Sequence, residues 1–66
     1  MNVTVNGTPR ELPRDVTVAE AVRLVSAAAS GVAVAVNDEV VTRAAWESTA
    51  LAEGDRVEVL TAVQGG

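Results

Sequence analysis

The residues best suited to chemistry are mostly missing. The chain of 66 residues has no cysteine, no histidine and no lysine. Thiolate zinc sites, cysteine-ligated iron–sulfur clusters and cysteine nucleophiles are therefore excluded. So are the commonest metal ligand and general base. No glycine-rich phosphate loop is present. What remains is the end of the chain, Gly65-Gly66. A glycine pair is narrow and free of Cβ clashes, so it can thread into a partner's active site. At its tip sits the Gly66 α-carboxylate. A carboxylate is a poor acyl donor until its oxygen becomes part of a leaving group. ATP could do that through an acyl adenylate, with the activating enzyme supplied by a partner. A frayed end without function is the competing reading of the same two glycines.

Charge narrows the partners. Five arginines stand against nine acids, for a formal net charge of -4. That balance argues against nucleic acid, whose binding needs a basic face. It favours basic protein partners. Met1-Asn2-Val3-Thr4-Val5 carries no basic region ahead of an apolar run, so no signal peptide is read there. No apolar stretch approaches the roughly 20 residues of a membrane helix. The expectation is a cytoplasmic protein, monomeric when free.

The elements that must position the tail follow from periodicity. Met1, Val3 and Val5 alternate with polar residues and predict a strand. Asn6-Gly7 predicts a tight hairpin turn, because both central residues need positive φ. Thr8 to Leu12 is the return strand. Pro9 confines it to a sheet edge, and Pro13 ends it. Thr17-Val18-Ala19-Glu20 has the form of a capping box, with Val16 and Ala21 as a hydrophobic staple. Val18, Ala21, Val22, Val25 and Ala29 then follow a helical stripe, so the spacing predicts a helix over 17–30, stopped by Gly31. Val32 to Val36 reads as a central strand, Asn37-Asp38 as a turn, and Val40 to Thr42 as a short strand. Ala44 to Ser48 predicts one helical turn carrying Trp46 as a core anchor. Glu53-Gly54-Asp55 is a turn, and Arg56 to Thr61 alternates as the last strand.

Two strands, a helix and three further strands make an α+β pattern. One amphipathic helix must lie across one face of a mixed sheet, with long first and last strands at the sheet's centre. That arrangement is the β-grasp, or ubiquitin-like, fold. Residues 1–62 form the domain and 63–66 the tail. Val57 and Val59 point inward as core, so Glu58, Leu60 and Ala62 face out. Leu60 fits two readings, an ordinary exposed leucine or an anchor for a partner's groove. Arg43, Arg56, Asp38 and Glu39 read as solvated surface, and Asn37 as a turn residue.

Over essentially its whole length the chain resembles the bacterial sulfur carrier of thiamine thiazole synthesis. The resemblance is carried by Val34-Ala35-Val36-Asn37, Val41-Thr42-Arg43, Trp46, Leu51, Gly54-Asp55 and the strand running to Gly65-Gly66. It is weaker in the first half, through the first strand, Asn6-Gly7 and the start of the helix. Two positions depart from the family pattern. Thr42 stands where many members carry proline, and Glu58 where an apolar residue is common.

The resemblance implies a protein co-substrate rather than a catalyst, with no bound cofactor. Gly66 would be adenylated by an ATP-using, ubiquitin-activating-like enzyme. It would then become a thiocarboxylate, fed by a sulfur donor such as a cysteine desulfurase system. The sulfur would pass to thiazole synthase. Gly65 and Gln64 would thread the tail, and Leu60, Ala62 and Val63 would flank it at the partner interface. The same fold and tail fit the small subunit of molybdopterin synthase, though no proline precedes the final glycines here. They also fit carriers for other sulfur metabolites. A plain β-grasp binding module would leave the diglycine without a role. A lysine-free chain offers no side-chain amine for linking copies of itself.

Overall fold

A computed structural model describes residues 1–25 and 31–61. The element order is β1 (Asn2–Val5), β2 (Thr8–Glu11), α1 (Val18–Val25), β3 (Val32–Val36), β4 (Glu39–Val41), a 3-10 helix (Arg43–Ser48) and β5 (Arg56–Thr61). The five strands form one sheet in the order β2-β1-β5-β3-β4. β1 runs parallel to β5, and the other pairings are antiparallel. This is the expected β-grasp.

Turn chemistry acts as the sequence implies. Asn6 and Gly7 have φ of 51° and 80°, which closes the β1–β2 hairpin in two residues. Pro9 lies on β2, an outer strand of the sheet, where its missing N–H costs nothing. The second hairpin turns on Asn37 and Asp38, both at positive φ without a glycine. Both side chains of the turn reach the start of β5. Asp38 pairs with Arg56 at 2.6 Å, and the Asn37 amide oxygen accepts from the Arg56 N–H.

The helix starts on the predicted capping box. The Glu20 N–H donates to the Thr17 hydroxyl at 3.2 Å, and the Glu20 carboxylate accepts from the Thr17 N–H at 3.0 Å. Val18, Ala19, Ala21 and Val22 are buried, Val25 is half-buried, and Leu24 lies off the stripe and is exposed. The last part of the expected helix, 26–30 with Ala29, lies outside the described residues. Gly31 has φ 71°, a backbone conformation that suits a glycine stop.

Several boundaries differ from expectation. The first strand is not long, since β1 spans only four residues. Its place beside β5, rather than its length, lets it cover the helix. The return strand ends at Glu11, although Leu12 is buried and its N–H still donates to the Met1 carbonyl at 2.8 Å. The strand expected over Val40–Thr42 is Glu39–Val41, because the two-residue turn brings Glu39 opposite Val36. Thr42 is thereby left outside the strand, directly before the 3-10 helix that starts at Arg43 and not at Ala44, and its carbonyl accepts from the Ala45 N–H at 2.9 Å.

The core lies between the sheet and α1. Val3, Val5, Val34, Val57 and Val59 come from the sheet, Val18 and Val22 from the helix, and Leu12, Val16, Trp46 and Leu51 from the connections. Trp46 is the only aromatic residue, and 6% of it is exposed. Its indole N–H donates to the Val41 carbonyl at 3.0 Å, so the one polar atom of this core anchor is satisfied. The connection from Trp46 to β5 is pinned as well. Val18 donates to the Thr49 carbonyl and Leu51 to the Val16 carbonyl, each at 2.9 Å.

Trp46→Phe keeps most of the buried ring but leaves the Val41 carbonyl without its donor. It should cost about 1–2 kcal/mol. Chemical denaturation followed by circular dichroism would show a lowered midpoint with an unchanged slope.

Candidate functional site

The tail leaves from β5, so the geometry of that strand sets the site. β5 lies between β1 and β3 and is paired on both sides. Successive residues of a strand point to opposite faces. Val57 and Val59 accordingly bury toward α1, while Glu58 and Leu60 stand on the open face. Leu60 is 67% exposed, so it lies outside the core although it is a large aliphatic side chain.

Cross-strand register shows what surrounds Leu60. Ala33 of β3 lies directly opposite it, and Ala35 lies opposite Glu58. Across the next pairing Ala35 faces Val40 of β4, which is 73% exposed. Directly opposed residues share a face. On the β5-β3-β4 part of the open side, Leu60, Ala33, Ala35 and Val40 therefore lie near Glu58. The alanines matter because small side chains leave the sheet surface low beside two standing aliphatic groups. A partner can approach the backbone closely there.

Sequence reasoning found Leu60 and missed Val40, Ala33 and Ala35. A signal was present, since Val32-Ala33-Val34-Ala35-Val36 puts both alanines on one face. The register with β4 and β5 was needed to place Val40 on the same surface. The other predicted site residues, Ala62, Val63, Gln64, Gly65 and Gly66, lie outside the described residues.

Two asparagines hold β5 in place. The Asn6 amide oxygen accepts from the Val59 N–H at 2.8 Å, and its NH2 donates to the Val59 carbonyl at 3.1 Å. It adds a rung to the β1–β5 ladder after β1 has turned away. At the other end the Asn37 amide oxygen accepts from the Arg56 N–H at 2.9 Å. The Asn37 NH2 donates to the Asp55 carboxylate at 3.0 Å. Reading Asn37 as a turn residue was right in part, because its side chain also fastens β3 to β5.

The charged residues are surface groups with modest structural roles. Arg56 and Asp38 pair in the open, with 51% and 75% of their side chains exposed, so the pair contributes little. Arg43 stacks over Trp46, 4.8 Å from the ring centroid. Among the described residues, no three acidic side chains cluster so as to hold a metal ion. No described helix is long and apolar enough to cross a membrane.

Comparison with known proteins follows this geometry. The model of the ThiS family matches residues 3–66, which includes Leu60 and runs through the terminal diglycine. The chain belongs to the ThiS family. A crystal structure of thiamine biosynthesis protein ThiS from Geobacter metallireducens is similar, at 39% identity and a TM-score of 0.84, with both chains fully covered. A solution NMR structure of a thiamine biosynthesis protein from the same organism is similar at 36% identity and a TM-score of 0.81. There the match covers all of this chain and 88% of the other. No curated protein matches the chain significantly.

Leu60→Ala and Val40→Ala remove exposed side chains from the open face. Each should change folding stability by no more than about 0.5 kcal/mol. A denaturation midpoint shifted beyond that range would mean these groups pack within the fold.

Proposed function

We propose that this chain is a sulfur carrier for thiazole formation in thiamine biosynthesis, a protein co-substrate and not a catalyst. The observation that carries this reading is the family match, continuous from residue 3 through Gly65-Gly66. The absence of cysteine, histidine and lysine supports it, because the chain terminus is then the natural reacting group.

The chemistry is simple to state. The Gly66 carboxylate attacks the α-phosphorus of ATP on an adenylating enzyme, and pyrophosphate leaves. The acyl adenylate now has AMP as its leaving group. The outer sulfur of a persulfide, supplied by a donor such as a cysteine desulfurase system, displaces AMP, and a thiol then reduces the resulting acyl disulfide to the thiocarboxylate and becomes part of a disulfide itself. Thiazole synthase then takes the sulfur. The carrier's own part is binding and presentation. Gly65 and Gln64 thread the catalytic channel of each partner, and Leu60, Ala62 and Val63 bear on its rim. The low alanine surface and Val40 extend that contact across the open sheet face. Both partners need the same tail, so they compete for the carrier and cannot hold it together.

A protein without cysteine allows a direct test. Thiol-selective alkylation of the chain from growing cells, read by mass spectrometry on the C-terminal peptide, should label Gly66. Deleting Gly66 should abolish thiazole formation and leave the circular dichroism melt unchanged, since the tail supplies none of the core described above. Leu60→Ala should weaken transfer by about tenfold or more, as for a central interface anchor. No label in the presence of activating enzyme, ATP and sulfur donor would overturn the reading. So would thiazole formation by the chain lacking Gly66.

A further inference from the structure

Asn6-Gly7 carries more chemistry than a turn requires. In an Asn-Gly pair the glycine nitrogen can attack the asparagine side-chain carbonyl. The Gly7 N–Cγ bond forms, the Cγ–Nδ2 bond breaks, and ammonia leaves with the proton that Gly7 gives up. The resulting succinimide takes up one water and opens to aspartate or isoaspartate. The balance is amide plus water to acid plus ammonia, with no other reactant. Glycine is the least hindered nucleophile for this step. Here a Cβ at residue 7 would meet nothing within 4 Å, so no neighbour shields the position.

The folded chain nevertheless holds the reacting amide. Both ends of the Asn6 side chain are bonded to Val59, at 2.8 Å through oxygen and 3.1 Å through nitrogen. The Asn6 N–H also donates to the Val57 carbonyl at 2.9 Å. To swing Cγ onto the Gly7 nitrogen, the side chain must rotate about its Cα–Cβ bond and release Val59. Asn6 is exposed, so protection comes from these bonds and not from exclusion of water.

We infer that Asn6 is a deamidation site that the β1–β5 pairing keeps closed, so that each excursion to the unfolded state risks an irreversible chemical mark. The mark falls where it damages the carrier. An aspartate carboxylate has no N–H to donate, so one oxygen confronts the Val59 carbonyl. An isoaspartate inserts a methylene into the main chain, and the two-residue turn no longer sets the Val5↔Thr8 register. In both products the fastening of β5 at Val59, one residue before Leu60, is weakened.

The test compares the intact chain in mildly alkaline buffer with the same chain unfolded in urea. Peptide mapping by mass spectrometry would follow amide-to-acid conversion at Asn2, Asn6 and Asn37. Asn6 should react at least about tenfold faster in urea than in the folded chain, as expected when reaction requires opening. In urea it should also outpace Asn2 and Asn37, whose following residues are Val3 and Asp38. Equal rates at Asn6 with and without urea would overturn the proposal, as would slower reaction there than at Asn2 or Asn37. Asn6→Asp supplies the product's charge directly. Its folding equilibrium constant should fall roughly tenfold, from a lost and then opposed hydrogen bond. A variant as stable as the parent would show that the mark does no harm and would overturn the damage inferred for it.

Discussion

The parallel pairing of β1 with β5 is the constraint on which the rest of the molecule depends. It joins the beginning of the chain to its end, and it is short, with Thr4 opposite Arg56 and Val5 opposite Val57. A parallel contact cannot be closed by a hairpin, so everything between the two strands acts as the crossover. That crossover carries α1 onto one face and brings β3 and β4 to the far side of β5. Loop-closure entropy opposes such a long-range contact, so local gains must support it. Three backbone bonds do so along the seam, from Thr4 to Asp55, Asn6 to Val57 and Gly54 to Asn2. The Asn6 side chain then adds the rung that a four-residue strand cannot reach.

Function follows from that central position. A strand held on both sides is a rigid base for whatever it extends into. Its alternation separates two duties residue by residue. Val57 and Val59 hold the helix, while Leu60 stands free on the opposite face. Surface changes there are nearly uncoupled from the core behind, because the core lies wholly on the other side of the sheet. The two asparagines make the same economy. Each forms a tight turn with positive φ, and each uses its amide to secure the neighbouring strand. In a chain this small, one residue serves local geometry and long-range pairing together.

The two faces of the sheet divide the apolar residues between them. The open face offers two exposed aliphatic groups, Leu60 and Val40, above a low alanine floor. The helix side is given over to packing, with Trp46 filling the space beside α1 that valine and alanine leave. Leu60 lies near the end of β5, and the diglycine follows in the sequence five residues later.

Local elements were legible because their causes are local. Alternation in Met1–Val5 and Arg56–Thr61, the Asn6-Gly7 turn and the Thr17–Glu20 capping box each depend on residues only a few positions apart. Their physics is complete before the chain folds. The diglycine stands in the sequence itself, and the carboxylate chemistry expected of it is a reading by elimination. Strand ends were less legible, since Glu39 and Thr42 take their roles from the turn that sets the pairing with β3. Val40, Ala33 and Ala35 could not be joined to Leu60 from composition. Facing across a sheet is decided by register between residues far apart in sequence, and a shift of one would reverse every face. The second role of Asn6 and Asn37 was hidden for the same reason. An amide can bond to whatever backbone lies beside it, and only the packed sheet puts Val59 and Arg56 there.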